Sequence, residues 1–220
     1  MDAAEHGKYE NRAHAGAVLG MNLALALPAA DYIVLGLLRG GVPIAAGVAQ
    51  SLGSKLGVLA VKKLGVPSNQ ELAFGAIARY RGELSTYFNP DIHRRAIRYF
   101  GAGELERVEL NTGAKLKELA KVYDVYTSDL QGRDVIICDD GIATGATMFA
   151  ALELVSKHEP ASITVALPVG PANLVPSLKQ QCDEVFLLWQ PQNFTSVGAH
   201  YVHFEQVSQV ELNRYLQDAA

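Results

Sequence analysis

Residues 135–147 read Val-Ile-Ile-Cys-Asp-Asp-Gly-Ile-Ala-Thr-Gly-Ala-Thr, and this stretch decides the fold. Its first four residues form a continuous apolar run that is too short for an amphipathic helix, which predicts a strand buried on both faces of a parallel sheet. Asp139 and Asp140 follow at the carboxyl end of that strand, where open α/β sheets bind their ligands. The stretch therefore predicts a binding site at the edge of a parallel sheet.

The residues after the strand indicate which ligand would bind. Two adjacent carboxylates suit the vicinal diol of a ribose, because each can accept a hydrogen bond from a neighbouring hydroxyl. Gly141 and Gly145 let the backbone approach a ligand, and a helix predicted over 147–158 would direct its first N–H groups at an anion. Thr144 and Thr147 add hydroxyl donors, and the loop lacks the lysine of a nucleoside-triphosphate P-loop. The pattern predicts a ribose 5-phosphate site; the alternative is an ordinary polar turn with a helix N-cap.

The rest of the chain alternates between strands and helices, which predicts an α/β fold with an open, mainly parallel sheet flanked by helices. Strands are predicted at 32–37, 56–61, 135–138, 162–167 and 184–189, and helices at 15–30, 43–51, 147–158 and 172–179. Residues 69–128 break this order, with strands predicted at 74–78 and 84–88 before helices at 92–99 and 104–123. We interpret 69–128 as an inserted hood or flexible-loop region within a single domain, 1–220.

Composition narrows the class of protein. The chain has 220 residues, of which 49% are hydrophobic, and a net charge of −4. Its basic residues are dispersed, so a nucleic-acid partner is not expected. Of the two cysteines, Cys138 falls in a predicted strand, which favours a reducing cytoplasmic setting over a disulfide framework. The apolar residues 15–30 follow charges of mixed sign and contain Pro28, so we expect a helix of a soluble protein without a membrane partner.

Residues 135–147 closely resemble the phosphoribosyl-diphosphate (PRPP) signature of the type I phosphoribosyltransferases. Residues 38–43, Leu-Arg-Gly-Gly-Val-Pro, resemble the pyrophosphate loop of that family, in which we expect a strained or cis peptide between Arg39 and Gly40. The segment 62–78 and both ends of the chain resemble a bacterial subgroup of largely unassigned substrate. The matching residues at the two ends are Arg12, Ala15, Gly16, Phe194, Val197, Gly198, Tyr201, Phe204, Gln206, Val207 and Ser208.

The resemblance implies an enzyme of nucleotide salvage that transfers 5-phosphoribosyl from PRPP to a nitrogenous base, releasing pyrophosphate, with Mg²⁺ as cofactor. It implies Arg39, Asp139 and Asp140 as catalytic residues, the two aspartates supporting Mg²⁺ through ribose hydroxyls or water. The implied substrate-binding residues are Gly40, Gly41, Lys62, Lys63, Gly141, Ile142, Ala143, Thr144, Gly145, Ala146 and Thr147. The family also implies a homodimer, and the hood is expected to exclude water from the site.

Several alternatives stay open at this point. A PRPP- or nucleotide-sensing regulator would keep the same fold and binding loop with little catalysis. A phosphatase or hydrolase is weaker, because no activated nucleophile or metal cluster is visible. Ala143 stands where 6-oxopurine salvage enzymes have a proton-exchanging aspartate, so hypoxanthine and guanine are disfavoured as acceptors. His200 and His203 suggest a metal pair, but no third ligand accompanies them.

Overall fold

The computed structural model describes residues 8–67 and 69–218, with the side chains of residues 70 and 71 excepted. Along the chain lie α1 (Arg12–Ala26), β1 (Ile33–Leu37), α2 (Gly41–Leu52), β2 (Lys55–Val66), β3 (Asn69–Tyr80), β4 (Glu83–Phe88), α3 (Pro90–Phe100), α4 (Ala102–Tyr123), β5 (Asp134–Cys138), α5 (Ala146–Ser156), β6 (Ser162–Val169), α6 (Val175–Leu178), β7 (Glu184–Trp189) and α7 (Gln209–Asp218).

The contacts divide the chain into two compact units. Among the described residues, the first unit comprises 8–58, 128–144 and 158–218, and the second comprises 59–127 and 145–157. Strand β2 begins in the first unit and ends in the second. The predicted insertion, 69–128, falls almost entirely in the second unit, whereas its role as a hood stays a prediction.

Parallel strands form the centre of the first unit. Strand β1 pairs with β5, β5 with β6 and β6 with β7, all in parallel register. Every residue of β1 is buried, as are the last four of β5, so these strands are covered on both faces as their unbroken apolar sequences predict. Gly36 lies opposite Cys138, and the two strands therefore end side by side at one edge of the sheet.

Helices α1 and α2 of the same unit pack at backbone distance. A Cβ atom added to Gly47 would lie 2.5 Å from the carbonyl carbon of Gly16, and one added to Gly16 would lie 2.8 Å from the carbonyl oxygen of Ile44. Only glycine allows two helices to approach this closely. This contact holds the beginning of α1, where Arg12 lies, against the helix that follows β1.

The second unit is built on an antiparallel ladder. Strand β2 pairs with β3, and β3 pairs with β4. Helix α5 packs on this ladder, with the ring of Phe149 lying 5.1 Å from that of Tyr87. Beneath it, the carboxylate of Glu153 accepts from the hydroxyl of Ser85, and the Lys157 ammonium donates to the same hydroxyl at 3.2 Å. Burial raises the pKa of Glu153, an effect that the Lys157 charge and the Ser85 hydrogen bond oppose.

The predicted α/β class with a mainly parallel sheet flanked by helices is confirmed. Through the continuity of β2, the seven strands in the described part of the chain form one sheet in the order β4-β3-β2-β1-β5-β6-β7. Strand β2 extends five residues beyond the predicted 56–61, because its second half pairs with β3. Helix α7 was not predicted, since its sequence is polar and its apolar positions are few. Within the described residues, none of the helices is long and apolar enough to cross a membrane.

The start of α1 depends on a side-chain cap that can be tested. The Asn11 side chain accepts a hydrogen bond from the backbone N–H of His14 at 2.9 Å. Replacing Asn11 with alanine removes this cap and should lower the free energy of unfolding by about 1 kcal/mol, measured by urea denaturation. Asn22→Ala is the matched control on the same helix, because its side chain donates to the Val18 carbonyl at 2.8 Å, within the helix, and does not cap a helix end. Equal stability of both variants would contradict the cap.

Candidate functional site

Two loops that are far apart in sequence touch in the first unit. A Cβ atom added to Gly41 would lie 2.5 Å from the carbonyl oxygen of Cys138 and 3.0 Å from the Cα of Asp139. One added to Gly40 would lie 2.3 Å from a carboxylate oxygen of Asp140. The predicted pyrophosphate loop and the predicted ribose loop are therefore packed directly together, with hydrogen in place of a side chain at both contact points.

The acidic pair is partly shielded from water and is ordered by its own backbone. Both Asp139 and Asp140 are half-buried. The backbone N–H of Asp140 donates to Oδ1 of Asp139 at 2.9 Å, which fixes the first carboxylate relative to the second residue. Burial and the neighbouring Asp139 charge raise the pKa of Cys138, so that thiol stays protonated at neutral pH.

Arg12 contacts one member of the acidic pair, Asp140, although no sequence motif predicts a role for it. Its Nε donates to Oδ2 of Asp140 at 2.8 Å, and the two side chains are only 12% and 17% exposed. Its Nη1 donates to the carbonyl oxygen of Glu205 at 2.7 Å, and the guanidinium carbon lies 3.8 Å from the centre of the Phe204 ring. The sequence motifs identify Arg12 and Phe204 only as matches to a subgroup, because 128 residues separate Arg12 from Asp140 and no local pattern predicts their contact.

Tyr201 holds the backbone of the same aspartate. Its buried hydroxyl donates to the carbonyl oxygen of Asp140 at 2.6 Å. Burial above all, followed by the charge of Asp140 and by Tyr9, raises the pKa of Tyr201, so the phenol remains a donor throughout the physiological range. Asp140 is thus held by its side chain and by its main chain.

The next residues of the ribose loop are anchored inside the first unit. Gly141 has φ of 156°, and a Cβ atom there would lie 2.7 Å from Val197 and 2.9 Å from the carbonyl oxygen of Val169. The backbone N–H of Ile142 donates to the same Val169 carbonyl at 3.0 Å, and the Ile142 side chain is buried. The loop is therefore fixed on β6, and Ile142 packs into the protein.

The other predicted site residues occupy different surroundings. Ala143 and Thr144 are exposed at the end of the first unit. In the second unit, Gly145 caps α5 with φ of 81°, and α5 carries the other two loop residues, Ala146 and Thr147, in its first turn. Lys62 and Lys63, also in the second unit, lie exposed on β2 opposite Ile77 and Ala76. The substrate contacts of all these residues stay predictions.

The pyrophosphate loop contains the expected unusual peptide, but at a different bond. The cis peptide joins Leu38 to Arg39, so the expectation of a strained or cis bond between Arg39 and Gly40 was wrong. Gly40 already has the helical dihedrals φ −63° and ψ −31° as the residue before α2. Helix α2 begins at Gly41, two residues earlier than predicted. The cis peptide lies before the helix, between Leu38 and Arg39.

The two histidines occupy unlike environments. His200 is buried, its Nδ1 lies 2.9 Å from the carbonyl oxygen of Ser196, and its ring stacks on Phe194 at 5.3 Å. His203 is exposed, with its Nε2 3.5 Å from a carboxylate oxygen of Glu10. His200 thus belongs to the packing of the segment that follows β7, whereas His203 belongs to the surface.

A parallel sheet with an acidic pair and a glycine loop at its carboxyl edge defines the class of protein, and comparisons with known proteins establish the family. A family model described as "Phosphoribosyl transferase domain" matches residues 21–196. The chain therefore belongs to the phosphoribosyl transferase family, as the sequence motifs predicted.

Relatives and solved structures agree with this assignment. Two curated proteins from two strains of Mycobacterium tuberculosis, each named "Putative phosphoribosyl transferase", are 38% identical over 213 residues, covering 96% of this chain and 47% of theirs. The chain thus spans about half the length of the curated relatives it matches. The crystal structure of TT1426 from Thermus thermophilus is 40% identical, with a TM-score of 0.75 over 97% of this chain and 99% of that one. AQ2163 of Aquifex aeolicus shares the fold at 14% identity, with a TM-score of 0.52 over 90% of this chain and 81% of that one.

The contact between the loops predicts a stability effect. Gly41→Ala places a methyl group against the backbone of Cys138 and Asp139, which should lower the free energy of unfolding by about 1–3 kcal/mol, measured by urea denaturation. Gly103→Ala is the control, because a Cβ atom added there would have no neighbour within 4 Å among the described residues. As Gly103 lies within α4, its replacement should be neutral or stabilising by about 0.5–1 kcal/mol. A Gly41→Ala variant as stable as the parent would show that the loops are not in contact.

Proposed function

We propose that this protein binds PRPP and transfers its 5-phosphoribosyl group to a nitrogenous base, with release of pyrophosphate. The observation that carries the proposal is the direct contact between the Asp139–Asp140 pair and the loop at Arg39, Gly40 and Gly41. The first element suits a ribose diol and the second suits an anion, and PRPP carries both groups on adjacent atoms. A binding site for an isolated sugar or phosphate would not need the two loops to touch.

Each loop contributes a different physical interaction to the proposed site. The carboxylates of Asp139 and Asp140 accept hydrogen bonds from ribose hydroxyls, and such hydrogen bonds to charged groups are among the stronger ones in proteins. At the other loop, the Arg39 guanidinium and the N–H groups at the start of α2 favour negative charge. The site therefore separates two functions, recognition of the sugar and neutralisation of the leaving group.

A magnesium ion fits the oxygen donors of this site. The two aspartates would contact the ion indirectly, through other oxygen atoms. Mg²⁺ prefers oxygen ligands and keeps several waters when it binds together with substrate phosphates. The Asp140 carboxylate is paired with Arg12 at 2.8 Å, so its charge is already compensated within the protein. Asp139 and Asp140 would hold the ion through ribose hydroxyls or water. When bound, Mg²⁺ would neutralise charge on the pyrophosphate oxygens.

The proposed reaction needs positioning more than it needs a reactive side chain. A nitrogen nucleophile attacks C1 of the ribose as the bond to pyrophosphate breaks, and positive charge develops on the sugar ring. Asp139 and Asp140 hold the ring in one orientation and place negative charge near it, and Arg39 stabilises the departing pyrophosphate. No covalent intermediate with the protein is required.

The range of acceptor bases is narrowed because the ribose loop has no carboxylate at position 143. Ala143 is exposed in the ribose loop, and its methyl side chain cannot exchange a proton with a base. We therefore propose an acceptor that does not need a carboxylate at this position, which disfavours hypoxanthine and guanine. An acceptor with an intrinsically nucleophilic nitrogen would meet this requirement.

The sugar contact predicts a loss of affinity. Replacing both Asp139 and Asp140 with asparagine removes the charged oxygens that accept hydrogen bonds from the ribose hydroxyls, so PRPP affinity measured by calorimetry should fall by about tenfold or more. The control is Asp31→Asn, since Asp31 is an exposed carboxylate paired with Arg133 before β1, at the opposite end of that strand. Unchanged affinity of the double variant would reject the sugar-binding assignment.

The activity itself can be tested without knowing the acceptor. The protein is incubated with PRPP, Mg²⁺ and a panel of nucleobases and simpler nitrogenous rings, and pyrophosphate release is measured. Release with at least one acceptor, abolished in Arg39→Ala, is the expected result. Tight PRPP binding with no pyrophosphate release for any acceptor would contradict catalysis and favour a sensor instead.

A further inference from the structure

Arg12 makes three contacts, one with the ribose loop and two with the segment that follows β7. As the first residue of α1, it is bonded through Nε to the Asp140 carboxylate, through Nη1 to the Glu205 carbonyl, and through its planar face to the Phe204 ring. A guanidinium forms such a set because its donors are fixed in one plane and that plane stacks on aromatic rings, whereas lysine offers a single point charge. The orientation of Arg12 is therefore determined from three sides.

The surroundings of Arg12 join a segment near the start of the described chain to the segment that follows β7. The backbone N–H of Tyr9 donates to the carbonyl of His200 at 2.9 Å, and that of Val202 donates to the carbonyl of Tyr9 at 2.8 Å. The ring of Tyr201 lies 5.5 Å from that of Tyr9 and 4.9 Å from that of Phe204. Residues 9–12 and 200–205 thus form one packed structure, to which we refer as the Asp140 clasp.

The Asp140 clasp contacts the ribose loop and also lies against the pyrophosphate loop. Tyr201 holds the Asp140 carbonyl and Arg12 holds the Asp140 carboxylate. The Arg12–Asp140 ion pair also lies against the other loop, since a Cβ atom added to Gly40 would be 2.3 Å from Oδ2 of Asp140 and 3.4 Å from Nε of Arg12. A change in the ion pair would therefore move the aspartate and release its contact with the pyrophosphate loop.

We propose that Arg12 and Tyr201 are positioning residues for ribose recognition. Arg12 sets the orientation in which the Asp140 carboxylate accepts a hydrogen bond from a sugar hydroxyl. Tyr201 fixes the position of the Asp140 backbone through its hydrogen bond to the carbonyl oxygen. This inference rests on the proposed function, because it concerns the same ribose site. Since the pair is largely shielded from water, loss of Arg12 removes the 2.8 Å ion pair that orients the Asp140 carboxylate, and the carboxylate can then take up other orientations.

The test separates positioning from simple stabilisation by measuring sugar selectivity. Calorimetry gives the affinities of the full chain for PRPP, ribose 5-phosphate and 2-deoxyribose 5-phosphate, the last of which lacks one hydroxyl of the diol. In the parent protein, ribose 5-phosphate should bind more tightly than the deoxy sugar. In Arg12→Ala, PRPP affinity should fall by about tenfold or more, and the preference for ribose should shrink toward unity. Tyr201→Phe should reduce the same preference to a smaller extent.

Two further variants complete the comparison. Arg12→Lys keeps the charge but replaces one of the three contacts at most, so it should recover only part of the PRPP affinity; it also carries the test if Arg12→Ala does not fold. Arg133→Ala breaks the exposed ion pair with Asp31 in the same unit and should leave both PRPP affinity and selectivity unchanged. Added methylguanidinium, but not equal sodium chloride, should restore PRPP binding to Arg12→Ala.

The outcomes distinguish this inference from the proposed function. A parent protein that fails to bind PRPP would overturn both. A parent that binds PRPP and prefers ribose, while Arg12→Ala retains the same affinity and the same preference, would overturn the clasp alone. An equal loss of affinity for ribose and deoxyribose phosphates would also overturn it, because that result describes a general loss of structure.

Discussion

The parallel pairing of β1 with β5 is the constraint on which the site depends. Parallel strands end at the same edge, and the register that sets Gly36 opposite Cys138 brings residues 39–41 beside residues 139–140. The two loops can then touch only because Gly40 and Gly41 have no side chains. The acidic pair and the glycine loop become neighbours through the backbone hydrogen bonds that pair β1 with β5.

This arrangement places an aspartate in a costly position that the rest of the first unit supports. A half-buried carboxylate beside a second carboxylate is unfavourable unless it is paired and hydrogen-bonded. Arg12 supplies the charge and Tyr201 the hydrogen bond, and neither belongs to the loops that would bind substrate. Helix α1 is in turn held close to α2 by the contact between Gly16 and Gly47, so the packing of two helices determines where a guanidinium meets the site.

Much of the fold followed from local sequence. The strand β7 was predicted at its observed bounds, and β5 differs by one residue, because short β-branched apolar runs between polar turns have few other uses. Predictions failed where partners decided the outcome. Strand β2 continues to Val66, five residues beyond its predicted end, because β3 pairs with it. Such choices depend on residues far away in the chain.

The sequence by itself determined which carboxylates, glycines and hydroxyls the two loops carry, because residue types and their spacing are local properties of the chain, and the proposed ribose and pyrophosphate contacts rest on them. It also determined the phosphoribosyl transferase family, through the same short motifs. The tertiary structure alone decided that Arg12 and Tyr201 reach Asp140, across 128 and 61 residues of chain. No local pattern encodes an ion pair at that separation, because its formation depends on where two strands, two helices and the segment after β7 come to lie.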